Sequence, residues 1–232
     1  MKPVPDYPAA TFGSILVIGD LHLGLELELK KKGISVPPQT EIMREMAEKL
    51  LKITGAKELL VLGDVKHSLG SEGAEEVHRF FRRFPVPFSI VPGNHDGNLA
   101  EILPDAKIHP ASGVLLRGTC FLHGHALPSK ELSGCKEFVI SHSHPAVSFT
   151  DQAGATTKVQ CWLRTDITFG KNKAKLTLVP AFNPLLGGSA LNENEPLGPM
   201  LSRADLVHAK LYLLDGSYIG EIPKNKQKNK KA

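Results

Sequence analysis

The chain has little from which to build a disulfide frame or a membrane anchor. Its 232 residues include three cysteines, Cys120, Cys135 and Cys161. Their odd number, wide spacing and lack of any zinc-site pair point to reduced thiols and a cytoplasmic protein. The longest apolar runs, such as Ile15 to Ile18 and Leu59 to Leu62, are far too short to span a bilayer. The opening stretch MKPVPDYPAATFG carries prolines and an aspartate where a signal peptide needs a continuous apolar segment. No repeat of solenoid length and no low-complexity linker interrupts the chain.

A real excess of charge is missing too. The formal net charge of +4 traces to the tail KNKQKNKKA (224–232), with five lysines and no acid. Without it, 23 basic residues face 24 acidic ones. The expectation is one domain over residues 1–223 followed by a basic, disordered tail, which either solubilises the chain or tethers nucleic acid through phosphates. An apolar content of 41% and a charged content of 22% fit an ordinary globular domain.

Three short apolar segments share one design. ILVIGD (15–20), LLVLGD (59–64) and SIVPGN (89–94) each end in Gly-Asp or Gly-Asn. Four nearly continuous apolar residues fit strands buried on both faces. Between the first two, Ile42, Met46, Leu50 and Ile53 follow helical spacing, with Thr40 placed to cap the start and Gly55 the end. Between the second and third, Val77, Phe80, Phe81 and Phe84 mark a helix face from about Glu72 to Arg83. Strand–helix–strand–helix–strand predicts a parallel sheet with right-handed crossovers, and so brings Asp20, Asp64 and Asn94 to one edge. The second half reads as strands near 119–125, 137–145, 158–164, 174–180 and 209–216, a second sheet packed on the first; GGSALNENEPLGP (187–199) reads as a surface loop.

Seven of the ten histidines lie in tight groups: His22, His67, His95, His123, His125, His142 and His144. Asp20-x-His22, His123-x-His125 and His142-x-His144 have i, i+2 spacing, which points both side chains of an extended segment to one side. Every pair follows an apolar strand. Asp, Asn and His without Cys make a borderline-to-hard ligand field suited to manganese, iron or catalytic zinc. His78, His109 and His208 stand outside any group and read as structural or surface residues.

The ordered set GDLHLG (19–24), GDVKH (63–67), GNHD (93–96), LHGH (122–125) and SHSHP (141–145) resembles the calcineurin-like metallophosphoesterase superfamily. GDLHLG, GDVKH and VPAFNPLLGG (179–188) further resemble its small SbcD-related phosphoesterases. The resemblance implies an α/β fold of two packed mixed β-sheets flanked by helices, a four-layer αββα sandwich. It also implies two divalent metal ions, with manganese expected and iron, zinc or nickel as alternatives. One ion would take Asp20, His22 and His144; the other Asn94, His123 and His142; Asp64 would bridge them, with His95 unligated and acting on the leaving group. Lys66, His67 and His125 are candidates for substrate contact or support of the ligands. Lys66 is otherwise a solvent-facing lysine, and Ser141 stands where glycine is usual.

The activity implied is phosphodiester hydrolysis of nucleic acid or nucleotides. Phosphomonoester or cyclic-nucleotide hydrolysis is the alternative, and a non-catalytic scaffold the third reading.

Overall fold

The computed structural model describes residues 1–68 and 73–222; the tail at 224–232 and the expected helix start at Glu72 lie outside them. The first sheet contains β1 (Lys2–Pro3), β2 (Ala10–Phe12), β3 (Ile15–Gly19), β4 (Glu58–Leu62), β5 (Phe88–Val91) and β6 (Lys107–Ile108), side by side in that order. β3 through β6 are parallel, while β1 and β2 add antiparallel edge strands. The second sheet contains β7 (Val114–Leu116), β8 (Thr119–Phe121), β9 (Glu137–Ile140), β10 (Pro145–Thr150), β11 (Thr156–Phe169), β12 (Asn172–Leu178), β13 (Ser189–Ala190), β14 (Lys210–Leu213) and β15 (Tyr218–Glu221). β8, β9 and β12 run parallel, whereas β10, β11 and β14 pair antiparallel, so this sheet is mixed as well.

Alternation along the parallel strands divides the core in two. Leu16, Ile18, Leu59, Val61 and Ile90 face α2 (Gln39–Thr54) and α3 (Ala74–Phe81), where Met43, Ala47, Leu50, Val77 and Phe80 cover them. Val17, Leu60, Leu62 and Val91 face the other way, onto Phe121, Phe138, Ile140, Trp162 and Leu176 of the second sheet. Beside the second sheet the helical structure is small, consisting of α5 (Gly198–Leu201) and a 3-10 turn at Leu206–His208. The seven-residue α1 (Leu25–Lys31) and the single turn α4 (Leu99–Ile102) follow the first and third apolar strands. No helix among the described residues is long and apolar enough to cross a membrane.

Four local expectations need correction. α2 buries Met43, Ala47, Leu50 and Leu51, while Ile42 and Ile53 are exposed. Both stripes have helical spacing, and packing against β3 and β4 selects between them. Thr40 lies inside the first turn rather than capping it; the Gln39 amide donates instead to the Glu26 carboxylate of α1, 3.2 Å away. A carboxylate brought in from another helix satisfies an orphan N–H as well as a local cap does. Cys120 and Cys135 form a disulfide rather than staying reduced, leaving Cys161 free and buried. β8 and the Leu132–Cys135 turn bring the pair together, with Cα atoms 6.3 Å apart. Finally, the 187–199 segment is no simple surface loop, since it contributes β13 and reaches the site described next.

Candidate metal centre

The pairing of β3 with β4 continues beyond their ends. The amide of Asp20 donates to the Gly63 carbonyl, that of His22 to Asp64, that of Leu23 to Val65 and that of His67 to Leu23. The two loops therefore run side by side where the parallel strands emerge, which places Asp20 and His22 against Asp64 and His67. On the second sheet, the Ser141 amide donates to the His123 carbonyl and keeps those two loops in register.

Six of the seven expected ligands, all but Asn94, converge there in two overlapping groups. Side-chain ligand atoms of Asp20, His22, Asp64 and His144 lie within 4.8 Å of one another, and so do those of Asp64, His123 and His142. Asp64 belongs to both. His22 Nε2 and His123 Nε2 stand 3.3 and 3.4 Å from Asp64 Oδ2, and His144 Nε2 stands 3.4 Å from Asp20 Oδ1. Asp20 is fully buried and accepts the His142 amide at 3.1 Å. Asn94 is exposed at the turn between Gly93 and His95.

The backbone is bent to make this convergence. Asp20 (φ 55), His22 (φ 42), Asp64 (φ 47), His142 (φ 71) and His144 (φ 40) all adopt the left-handed region that non-glycine residues avoid. Glycines make room for them. A Cβ on Gly93 would stand 2.2 Å from Asp64 Oδ1, and one on Gly63 would stand 2.5 Å from His123 Nδ1. Gly93→Ala should therefore displace the Asp64 carboxylate and weaken manganese binding by about 10- to 100-fold, the scale of lost ligand support. Manganese titration of the folded variant reads this directly; unchanged affinity would count against a ligand role for Asp64.

Electrostatics fit a cation. Burial works to raise the Asp64 pKa, but His123 and His22 overcome it and hold the carboxyl far below the usual range. Burial would lower His123, yet Asp64 and Asp20 push it up to about 9. Burial and the neighbouring His123 hold His142 down at about 4, so its ring is neutral and ready to ligate. His22 Nε2 and His144 Nε2 are buried without a hydrogen-bond partner. Orphaned imidazole nitrogens facing buried carboxylates match the needs of a divalent ion bound by nitrogen and oxygen donors.

The surrounding contacts fix the candidate ligands. His123 Nδ1 donates to the Leu62 carbonyl at 2.9 Å and leaves Nε2 for the centre. Ser141 is buried beneath that contact, and its hydroxyl also donates to Leu62. His95 donates its amide to Asp64 Oδ1 and its Nδ1–H to the His67 carbonyl. His67 touches His22 and Glu28. His125 Nδ1 is buried without a partner, its ring 5.2 Å from that of His123. Lys66 is fully buried rather than solvent-facing, and its Nζ donates to the Ser68 carbonyl at 2.7 Å.

Four contributors went unassigned in the sequence. Asn183, fully buried, donates from its side chain to the Leu21 carbonyl at 2.8 Å and so braces the Asp20–His22 loop. Asp96 accepts the amides of Val65, Lys66 and Gly93, tying the second motif to the third. Leu197 accepts the Ser143 hydroxyl, and Gly198 sits so close to the His142 ring that an added Cβ would be 2.8 Å away. A lone Asn in an apolar run and the fourth residue of GNHD were the available signals; Leu197 left none.

Two packed mixed sheets carry, at their common edge, a histidine–aspartate cluster suited to holding metal. Residues 13–209 match the calcineurin-like phosphoesterase family, and the chain belongs to it. No curated protein matches the chain. Among solved structures, a nuclease, MPE, from Pseudomonas putida is similar over 87% of this chain and 85% of its own, with 19% identity and a TM-score of 0.55. The likeness is one of fold. Yfce, a phosphoesterase from E. coli, aligns over 91% of this chain and 99% of its own, with 20% identity and a TM-score of 0.41.

Proposed function

We propose that the chain is a two-metal phosphodiesterase acting on nucleic acid or nucleotides, close in kind to the SbcD-related phosphoesterases. The observation that carries the reading is the membership of Asp64 in both ligand groups. Asp20, His22 and His144 would hold one ion, and Asn94, His123 and His142 the other, with Asp64 between them. Two divalent ions held by these residues, manganese in our reading, would supply an activated water and positive charge to stabilise the phosphoryl transition state.

The chain's own residues do the rest. With Nδ1–H committed to the His67 carbonyl, His95 has Nε2 free to hold a proton toward the leaving oxygen. The amide of His95 on Asp64 Oδ1 fixes that ring relative to the shared carboxylate. Asn94 offers a neutral oxygen at the exposed rim. The basic tail favours a polyanionic polymer, and the P. putida fold neighbour is itself a nuclease.

Metal-stripped protein should hydrolyse bis-p-nitrophenyl phosphate only after manganese is restored, and faster than p-nitrophenyl phosphate. A preference for the monoester would replace the diesterase reading with a phosphatase one. No turnover of either ester, despite bound manganese, would count against both.

A further inference from the structure

A third group of ring nitrogens within 4.8 Å of one another, from His22, His67 and His95, adjoins the two that share Asp64, and its contacts lead out of the centre to the surface. His67 Nδ1 stands 3.3 Å from His22 Nδ1, and His67 Nε2 stands 2.7 Å from Glu28 Oε2 on α1. His22 Nε2 lies on the opposite side of its ring, 3.3 Å from Asp64 Oδ2. We infer that Glu28 is a positioning residue that, through His67, sets the tautomer and ring orientation of His22 for metal binding; this rests on the reading of His22 as a ligand.

The proton count admits one arrangement. An imidazole that offers Nε2 to a cation carries its hydrogen on Nδ1. With that hydrogen on His22 Nδ1, His67 Nδ1, 3.3 Å away, is the acceptor. A neutral His67 accepting at Nδ1 carries its own hydrogen on Nε2, and Glu28 Oε2 stands in line to receive it. Every donor has an acceptor, and the chain ends on a carboxylate. Ligand histidines are commonly oriented by one such outer contact; here a second histidine extends it to a separate helix. The main chain of His67 also takes part, since its carbonyl receives His95 Nδ1–H. Moving His67 would thus disturb a metal ligand and the proton donor together.

The geometry of α1 suits this role. Glu28 also pairs with Lys32 one turn on, and its side chain is 45% exposed, so replacing it does not threaten the core. His67, at 20% side-chain exposure, is the inner member.

The test compares the wild type with Glu28→Ala, Glu28→Gln and Lys32→Ala, loading each with zinc as a diamagnetic probe. Zinc affinity is measured by calorimetry and histidine tautomers by ¹⁵N NMR. We expect Glu28→Ala to weaken zinc binding by about 10-fold or more, as for other outer contacts, and to lose the Nε2–H form of His67. Glu28→Gln retains an acceptor oxygen and should recover much of both, while Lys32→Ala should match the wild type. Wild-type affinity with unchanged His67 tautomer in Glu28→Ala would overturn the inference while leaving the metal centre intact. If zinc moved neither the His22 nor the His144 resonances of the wild type, the ligand reading would fail first, and the relay with it.

Discussion

Asp64→Asn should abolish activity on diesters and leave both halves of the centre poorly loaded. The carboxylate is shared by the Asp20–His22–His144 group and the His123–His142 group. It also receives the His95 amide and lies within 3.4 Å of His22 and His123. An amide of the same size preserves packing but removes the charge that offsets repulsion between two cations. The loss in turnover should be on the order of 10³-fold or more, given the several kcal/mol that metal ions contribute. Metal analysis should show well under two ions per chain, with circular dichroism unchanged. Full retention of two manganese ions would sink the bridging role of Asp64.

His95→Gln should behave in the opposite sense, keeping metal while losing turnover. The His95 side chain contacts the His67 carbonyl and stands beside the His22 ring, with centroids 5.0 Å apart. Glutamine can occupy that space and donate to the same carbonyl, but it cannot deliver a proton to a leaving oxygen. The expected fall in kcat is about 10²-fold or more, the usual share of a positioned general acid. The loss should shrink for substrates whose leaving group needs no protonation, such as a nitrophenolate. An emptied centre in His95→Gln would make His95 a ligand, and an equal loss across all leaving groups would argue against proton delivery.

What the sequence made legible was whatever recurs locally. The continuous apolar runs of β3, β4 and β5 mark strands buried on both faces, and all three are parallel. Their Gly-Asp and Gly-Asn endings and the i, i+2 histidine pairs then mark the edge where they emerge. Contacts made over long distances left no such signal. Asn183 braces a loop 162 positions earlier, and Ser141 bonds a carbonyl 79 positions away. Glu28 reaches His67 across 39 positions from the short helix α1. The misjudged face of α2 has a similar cause, because two stripes satisfied the helical period and only the sheet beneath chose between them.

The left-handed backbone at Asp20, His22, Asp64, His142 and His144 has a consequence for how this fold could change over time. Each such residue costs about 1 kcal/mol that glycine would not. In a chain relieved of catalysis, glycine would relieve that backbone strain at each of the five. Here all five still carry a carboxylate or an imidazole. Backbone strain is thus held at the edge where its chemistry would occur.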